Sequence, residues 1–170
     1  MGLVHLYTGY GGGKTTSALG LALRALGHGQ KVIIIQFLKG RKNIGEYKIR
    51  EKLAPEYEIY QFGSPRFVDP KNLKPKDYEL AEKGLEFARE ALKKKPNLLI
   101  LDEINLAAAG GLVKVEDILD LLKNIPKKTI VILTGRFAPD ELINRADIVT
   151  TVEDIKGMKK RLPARKGYEY

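Results

Sequence analysis

Six apolar runs of strand length recur along the chain: 3-LVHLY-7, 32-VIIIQFL-38, 57-YEIYQF-62, 98-LLILD-102, 129-TIVILT-134 and 147-DIVTTV-152. They are rich in β-branched and aromatic residues, the types that suit a pleated, packed surface. Between them, apolar residues return at helical spacing. Leu19, Ala22, Leu23 and Leu26 share a predicted face in 17-SALGLALRAL-26, and Ala81, Leu85, Ala88 and Leu92 do so in 77-DYELAEKGLEFAREALKKK-95. Val115, Ile118, Leu119 and Leu122 form a third such face, and Pro139 is placed to open a short helix over 139-PDELINRA-146. Strands alternating with helices predict an α/β fold with a mainly parallel sheet of about six strands flanked by helices. The continuously apolar 33-III-35 and 98-LLIL-101 read as central strands covered on both faces.

In a parallel sheet, ligands gather beyond the carboxyl ends of the strands. That rule brings four segments to one edge: 8-TGYGGGKTT-16, Gln36 to Gly40, Asp102 with Glu103, and Thr134 to Arg136. The first is built for phosphate. Gly9, Gly11, Gly12 and Gly13 let the backbone turn sharply and point N–H groups inward, Lys14 adds a mobile positive charge, and Thr15 offers a hydroxyl to Mg²⁺. The helix that follows aims its positive dipole end and unpaired N–H groups into the loop. The loop is a variant of GxxxxGK[ST], because Thr8 stands where the first glycine is usual and Gly9 takes over the turn. Asp102 and Glu103, at the end of a buried strand, are placed to hold Mg²⁺ directly or through water. Arg136 and Lys39 each follow the end of a strand, where a cation would meet phosphate or an acidic substrate; either is otherwise a surface residue after a turn. His5 reads as a packed strand residue and His28 as part of a turn between Gly27 and Gly29. The residues thus describe a P-loop NTPase-like protein that binds a nucleoside triphosphate with magnesium. They leave open whether it hydrolyses the nucleotide, transfers phosphoryl or permits attack at the ribose.

The 170 residues suit a single domain over 1–170, with 153–170 a basic tail. No apolar run approaches the roughly 18 residues of a membrane span, and the first apolar run leads straight into the glycine loop rather than a cleavage site. With no cysteine there is neither a disulfide framework nor a thiolate metal site, and a cytoplasmic protein is expected. The net charge of +9 is concentrated in 156-KGMKKRLPARKG-167 and 93-KKK-95. Aromatic residues do not interleave with the basic tail before Tyr168 and Tyr170, which argues against a stacking surface for nucleic acid. The proline-rich 63-GSPRFVDPKNLKPKD-77 reads equally as a substrate-covering loop or as a connector.

The loop 8-TGYGGGKTT-16 resembles the TGNGKGKTT loop of P-loop corrinoid adenosyltransferases, which also begins with Thr. In the same order as in that family come 24-RALGHG-29, 36-QFLKG-40, 45-GE-46, 101-LDEIN-105, 133-LTGRFAPDEL-142, 146-ADIV-149 and 164-ARKGYEY-170. The resemblance covers nearly the whole chain. It implies that a reduced Co(I) corrinoid attacks the 5′ carbon of ATP and that inorganic triphosphate leaves. It further implies that Thr8, Gly9, Tyr10, Gly11, Gly12, Gly13, Lys14, Thr15, Thr16 and Arg24 bind the nucleotide. Thr15, Asp102 and Glu103 would hold Mg²⁺; Lys14, Glu103 and Arg136 would assist the chemistry; Phe67 and Lys39 would meet the corrinoid. A homodimer and a flavoprotein reductase as electron donor belong to the same expectation. Tyr10 and Gly12 replace the family's Asn and Lys, and the Trp that some relatives carry near Phe67 has no counterpart here. The competing readings are a P-loop ATPase or nucleoside kinase, and a nucleotide-gated nucleic-acid-binding module.

Overall fold

A computed structural model describes residues 2–66, 72–156, 163–168 and 170. Its strands are β1 (Leu3–Thr8), β2 (Val32–Phe37), β3 (Tyr57–Phe62), β4 (Leu98–Asp102), β5 (Ile130–Thr134) and β6 (Ile148–Thr151). They form one six-stranded sheet in the order β3-β2-β4-β5-β1-β6, and every neighbouring pair is parallel. The helices are α1 (Lys14–Gly27), α2 (Gly45–Lys48), α3 (Arg50–Leu53), α4 (Pro75–Lys93), α5 (Ile104–Ala109), α6 (Val115–Lys123) and α7 (Asp140–Arg145). All six strand expectations hold. The sequence pattern did not predict α2, α3 or α5, and α1 starts earlier than its apolar repeat suggests.

Two cores sandwich the sheet. On one side Val4, Leu6, Ile33, Ile35, Leu99, Leu101, Val131 and Leu133 meet the predicted α4 face of Ala81, Leu85, Ala88 and Leu92, together with Ile118 and Leu122 of α6. The other side is thinner. There α1 lies on Ile34, Ile100 and Ile132 through Ala18, Ala22 and Ala25, with Leu19 and Leu26 at its margins. Leu23 corrects the predicted α1 face, because it is exposed. Small residues let the helix approach the strands closely, so its contact stripe is alanine rather than leucine. β2 and β4 are buried along their whole length, as their unbroken apolar runs predict for central strands.

The turns after β1, β2, β4 and β5 meet at the carboxyl edge of the sheet. Among the described residues no helix is long and apolar enough to cross a membrane. In the 63–77 connector, Arg66 donates to both carboxylate oxygens of Asp77 (2.9 and 2.7 Å), and Asp77 accepts the Lys74 N–H at the start of α4 (2.9 Å). Phe67, the expected corrinoid contact, lies outside the described residues, as do 157–162 of the basic tail.

Candidate nucleotide site

The glycine loop runs from the end of β1 into the first turn of α1. Gly13 precedes α1 with φ +104°, and Gly9 has φ +98° with the Val152 carbonyl oxygen only 2.4 Å from where a Cβ would stand. A side chain at Gly9 would therefore meet both a left-handed backbone and a neighbouring carbonyl. The strand after β1 in space, β6, leads directly into this packing: Gly11 N–H donates to Val152 O (2.9 Å), and Gly12 N–H donates to Asp154 Oδ1 (3.3 Å). Gly12 itself has open space around its α carbon. Thr8, in place of the usual glycine, accepts the Ala138 N–H on its hydroxyl (3.4 Å), which joins the loop to the segment carrying Arg136.

Lys14 is buried and folded back over the loop, its Nζ donating to Gly9 O (2.8 Å) and Gly11 O (2.6 Å). Burial lowers its pKa and the Arg136 charge adds to this, while Glu103 and Asp154 oppose it. An anionic ligand placed among Lys14, Arg136 and the loop N–H groups would relieve this crowding of positive charge. Thr16 is exposed on the first turn of α1, and Arg136 is exposed just beyond β5. Arg24 stands apart, exposed and ten residues from Lys14, about 15 Å along a helix axis.

The centre of the site is Asp102, which is fully buried. Its Oδ1 accepts the hydroxyls of Thr15 (2.8 Å) and Thr134 (2.7 Å), and its Oδ2 accepts Lys39 Nζ (2.7 Å) and Gln36 Nε2 (3.1 Å). Burial would raise the Asp102 pKa. The Lys39 charge and the hydrogen bonds from Lys39, Thr134 and Thr15 more than offset it, so the carboxylate stays ionised below its ordinary range. Lys39 mirrors this: burial works against its charge, and Asp102 and Glu103 together raise its pKa. Glu103 has a left-handed backbone (φ +64°), and its N–H donates to Thr134 Oγ1 (3.0 Å). Burial raises its pKa, with the Lys39 charge opposing.

Asp102 thus joins the loop residue Thr15, Gln36 of β2, Lys39 beyond it and Thr134 of β5. Lys39 Nζ also donates to Thr15 Oγ1 (3.2 Å), so an ammonium group is held by both Thr15 and Asp102. Hard oxygen donors that already hold a cation fit Mg²⁺, which takes one or two carboxylates and retains waters. No cluster of three or more His, Cys, Asp or Glu suited to a metal occurs among the described residues.

Sequence reasoning put Gln36 and Thr134 on this edge but gave them no role. The available signal was a polar residue closing an otherwise apolar strand. It also passed over Asn105, which is fully buried and donates from Nδ2 to Tyr7 O (3.0 Å) and Gly135 O (3.2 Å), tying the end of β1 to the Arg136 turn. Asp154 had no signal beyond its place after β6. His5 is a packed strand residue as expected, with Nε2 3.0 Å from Thr150 Oγ1, and His28 caps the end of α1.

Residues 1–170 match the family model described as ATP:corrinoid adenosyltransferase BtuR/CobO/CobP. A corrinoid adenosyltransferase of Sinorhizobium sp. is 35% identical over 173 residues, covering 99% of this chain and 80% of that protein. One of Pseudomonas aeruginosa is 33% identical over 171 residues, covering 99% and 84%. One of Escherichia coli K12 is 30% identical over 156 residues, covering 91% and 78%.

Proposed function

The chain belongs to the ATP:corrinoid adenosyltransferase family, and from that premise we propose how its own residues carry out the reaction. The family's substrates are ATP and a corrinoid. In the proposed reaction, a Co(I) corrinoid forms a bond to the 5′ carbon of ATP as the bond from that carbon to the triphosphate oxygen breaks, and the electron pair leaves with inorganic triphosphate. The observation that carries the residue assignment is the convergence of Thr15, Thr134 and Lys39 on one buried carboxylate beside the phosphate loop. An ATPase, a nucleoside kinase or a nucleic-acid-binding module is not favoured, since the family match extends along the whole chain.

The leaving group is the entire triphosphate, so catalysis consists largely of stabilising its growing charge. Lys14 releases the Gly9 and Gly11 carbonyls and turns to phosphate. Gly12 N–H, freed from Asp154, donates to a phosphate oxygen alongside the first turn of α1, where Thr16 lies. Arg136 approaches from the β5 side. Gly9, Gly11 and Gly13 shape the loop, Thr8 fixes it to residue 138, and Arg24 adds positive charge further along α1. Thr15, Asp102 and Glu103 would hold Mg²⁺, which supplies charge neutralisation to the departing triphosphate. Lys39, released from Asp102 on that exchange, is free to meet the corrinoid, with Phe67 as a second contact. A homodimer, a cytoplasmic setting and a flavoprotein reductase that delivers the electron for Co(I) complete the proposal.

The test is anaerobic: protein, Mg-ATP and chemically reduced cobalamin, followed by the corrinoid spectrum and the phosphate product. A light-sensitive alkylcobalamin with intact triphosphate is expected. ATP binding without any corrinoid change, for cobalamin and cobinamide alike, would overturn the proposal.

A further inference from the structure

Two large aromatic side chains stand in solvent at the mouth of the nucleotide loop. Tyr10 is 70% exposed and Phe137 is 53% exposed, and their rings meet edge to face, 5.4 Å apart at 86°. Each comes from a different turn. Tyr10 lies inside the loop that ends in Lys14, and Phe137 immediately follows Arg136. Phe137 also has φ +57°, a left-handed conformation that is uncommon for a bulky residue. Such strain concentrates where the surrounding structure serves a ligand.

We infer that Tyr10 and Phe137 form a stacking platform for the adenine base of ATP. The inference rests on the proposed nucleotide site. A triphosphate gripped by Lys14 and Arg136 is tethered between the two turns that carry these rings, which brings the attached nucleoside to the same mouth. A T-shaped pair leaves ring face open, and a flat purine covers such a face without needing hydrogen-bond partners. The arrangement also separates ATP from the inorganic triphosphate it releases. ATP carries a base to stack and inorganic triphosphate does not, so the platform favours the incoming nucleotide and lets the leaving group depart. Stacking of this kind is tolerant of base identity, so it distinguishes a nucleotide from bare triphosphate rather than ATP from GTP.

Calorimetric binding of Mg-ATP and of inorganic triphosphate to the wild-type chain and to a Tyr10→Ala/Phe137→Gly double variant tests this. Glycine is at ease at the φ of residue 137, so the fold is retained. The double variant should bind ATP about tenfold more weakly and triphosphate as the wild type does, so that product inhibition by triphosphate becomes stronger relative to ATP. Tyr10→Trp should keep wild-type ATP affinity. Equal loss for ATP and triphosphate would overturn the inference, because the rings would then only shape the loop. Unchanged ATP affinity with a raised KM for the corrinoid would also overturn it, assigning the rings to the corrin. A wild-type chain that binds neither ligand would sink the nucleotide site itself, and the platform with it.

Discussion

Thr134 does two things with one hydroxyl: it donates to Asp102 and accepts the Glu103 N–H. Valine has the same shape and neither capacity. Thr134→Val is expected to cost about 1–3 kcal/mol in stability, the penalty for unpaired buried polar groups, and to lower kcat by loosening Glu103; denaturant unfolding and single-turnover kinetics check both. Gly9 and Gly12 make a sharper comparison within the loop. Gly9→Ala forces a left-handed residue against the Val152 carbonyl, whereas the space beside Gly12 is open. Loss of ATP binding for Gly9→Ala and retention for Gly12→Ala are expected by calorimetry; equal loss would mean that the open space at Gly12 is filled when nucleotide binds.

At the scale of elements, β3 is an edge strand whose Glu58 meets Lys31 (3.3 Å), Lys94 (3.0 Å) and the Tyr60 hydroxyl (2.6 Å). Partial burial opposes the Glu58 charge, but hydrogen bonds from Tyr60, Lys94 and Lys31 win and hold its pKa below the ordinary range. A depressed carboxylate stabilises the fold above its unfolded pKa and loses that contribution as pH falls through the folded one. Tyr60 is pushed up to about 12, first by its hydrogen bond to Glu58 and then by burial, so its contribution is full below pH 10.0 and lost as pH rises towards 12. Glu58→Gln is therefore expected to destabilise by about 1 kcal/mol at neutral pH, with the gap to wild type closing in acid. A gap that persists at the acid end would point to packing instead. The strands were legible in the sequence from their β-branched and aromatic runs, and the two central ones, β2 and β4, are buried along their whole length. Helix α5 was not: Ile104 to Ala109 is apolar except for the buried Asn105, too short for a repeat, and preceded by Glu103 in a left-handed conformation with no side-chain cap. Leu23 misled for a related reason, since periodicity marks apolar residues but not which of them are small enough to sit against a strand. The cluster at Asp102 was legible only as a shared edge. Its bonds depend on β2, β4 and β5 lying side by side, with β3 placed at the edge although it falls between β2 and β4 in the chain.

Over the whole molecule, the segment after β6 closes on the loop after β1. Asp154 places a carboxylate on Gly12 N–H and near Lys14, the same donors that the proposed function assigns to phosphate. Asp154→Asn is expected to tighten triphosphate binding severalfold at low ionic strength, with the gain fading as salt screens the charge. Salt-independent tightening, or none, would show that the contact is not electrostatic. The position of β1 between β5 and β6 has a further consequence for how the protein is made. Leu3 pairs with Ile130 and His5 with Ile148, so β1 gains neither of its flanking strands until those much later segments have been translated. The glycine loop cannot acquire its support from Val152 until that residue has been translated. Synthesis thus orders assembly: a chain that stops before Val152 carries the loop sequence without the backbone contact that braces it.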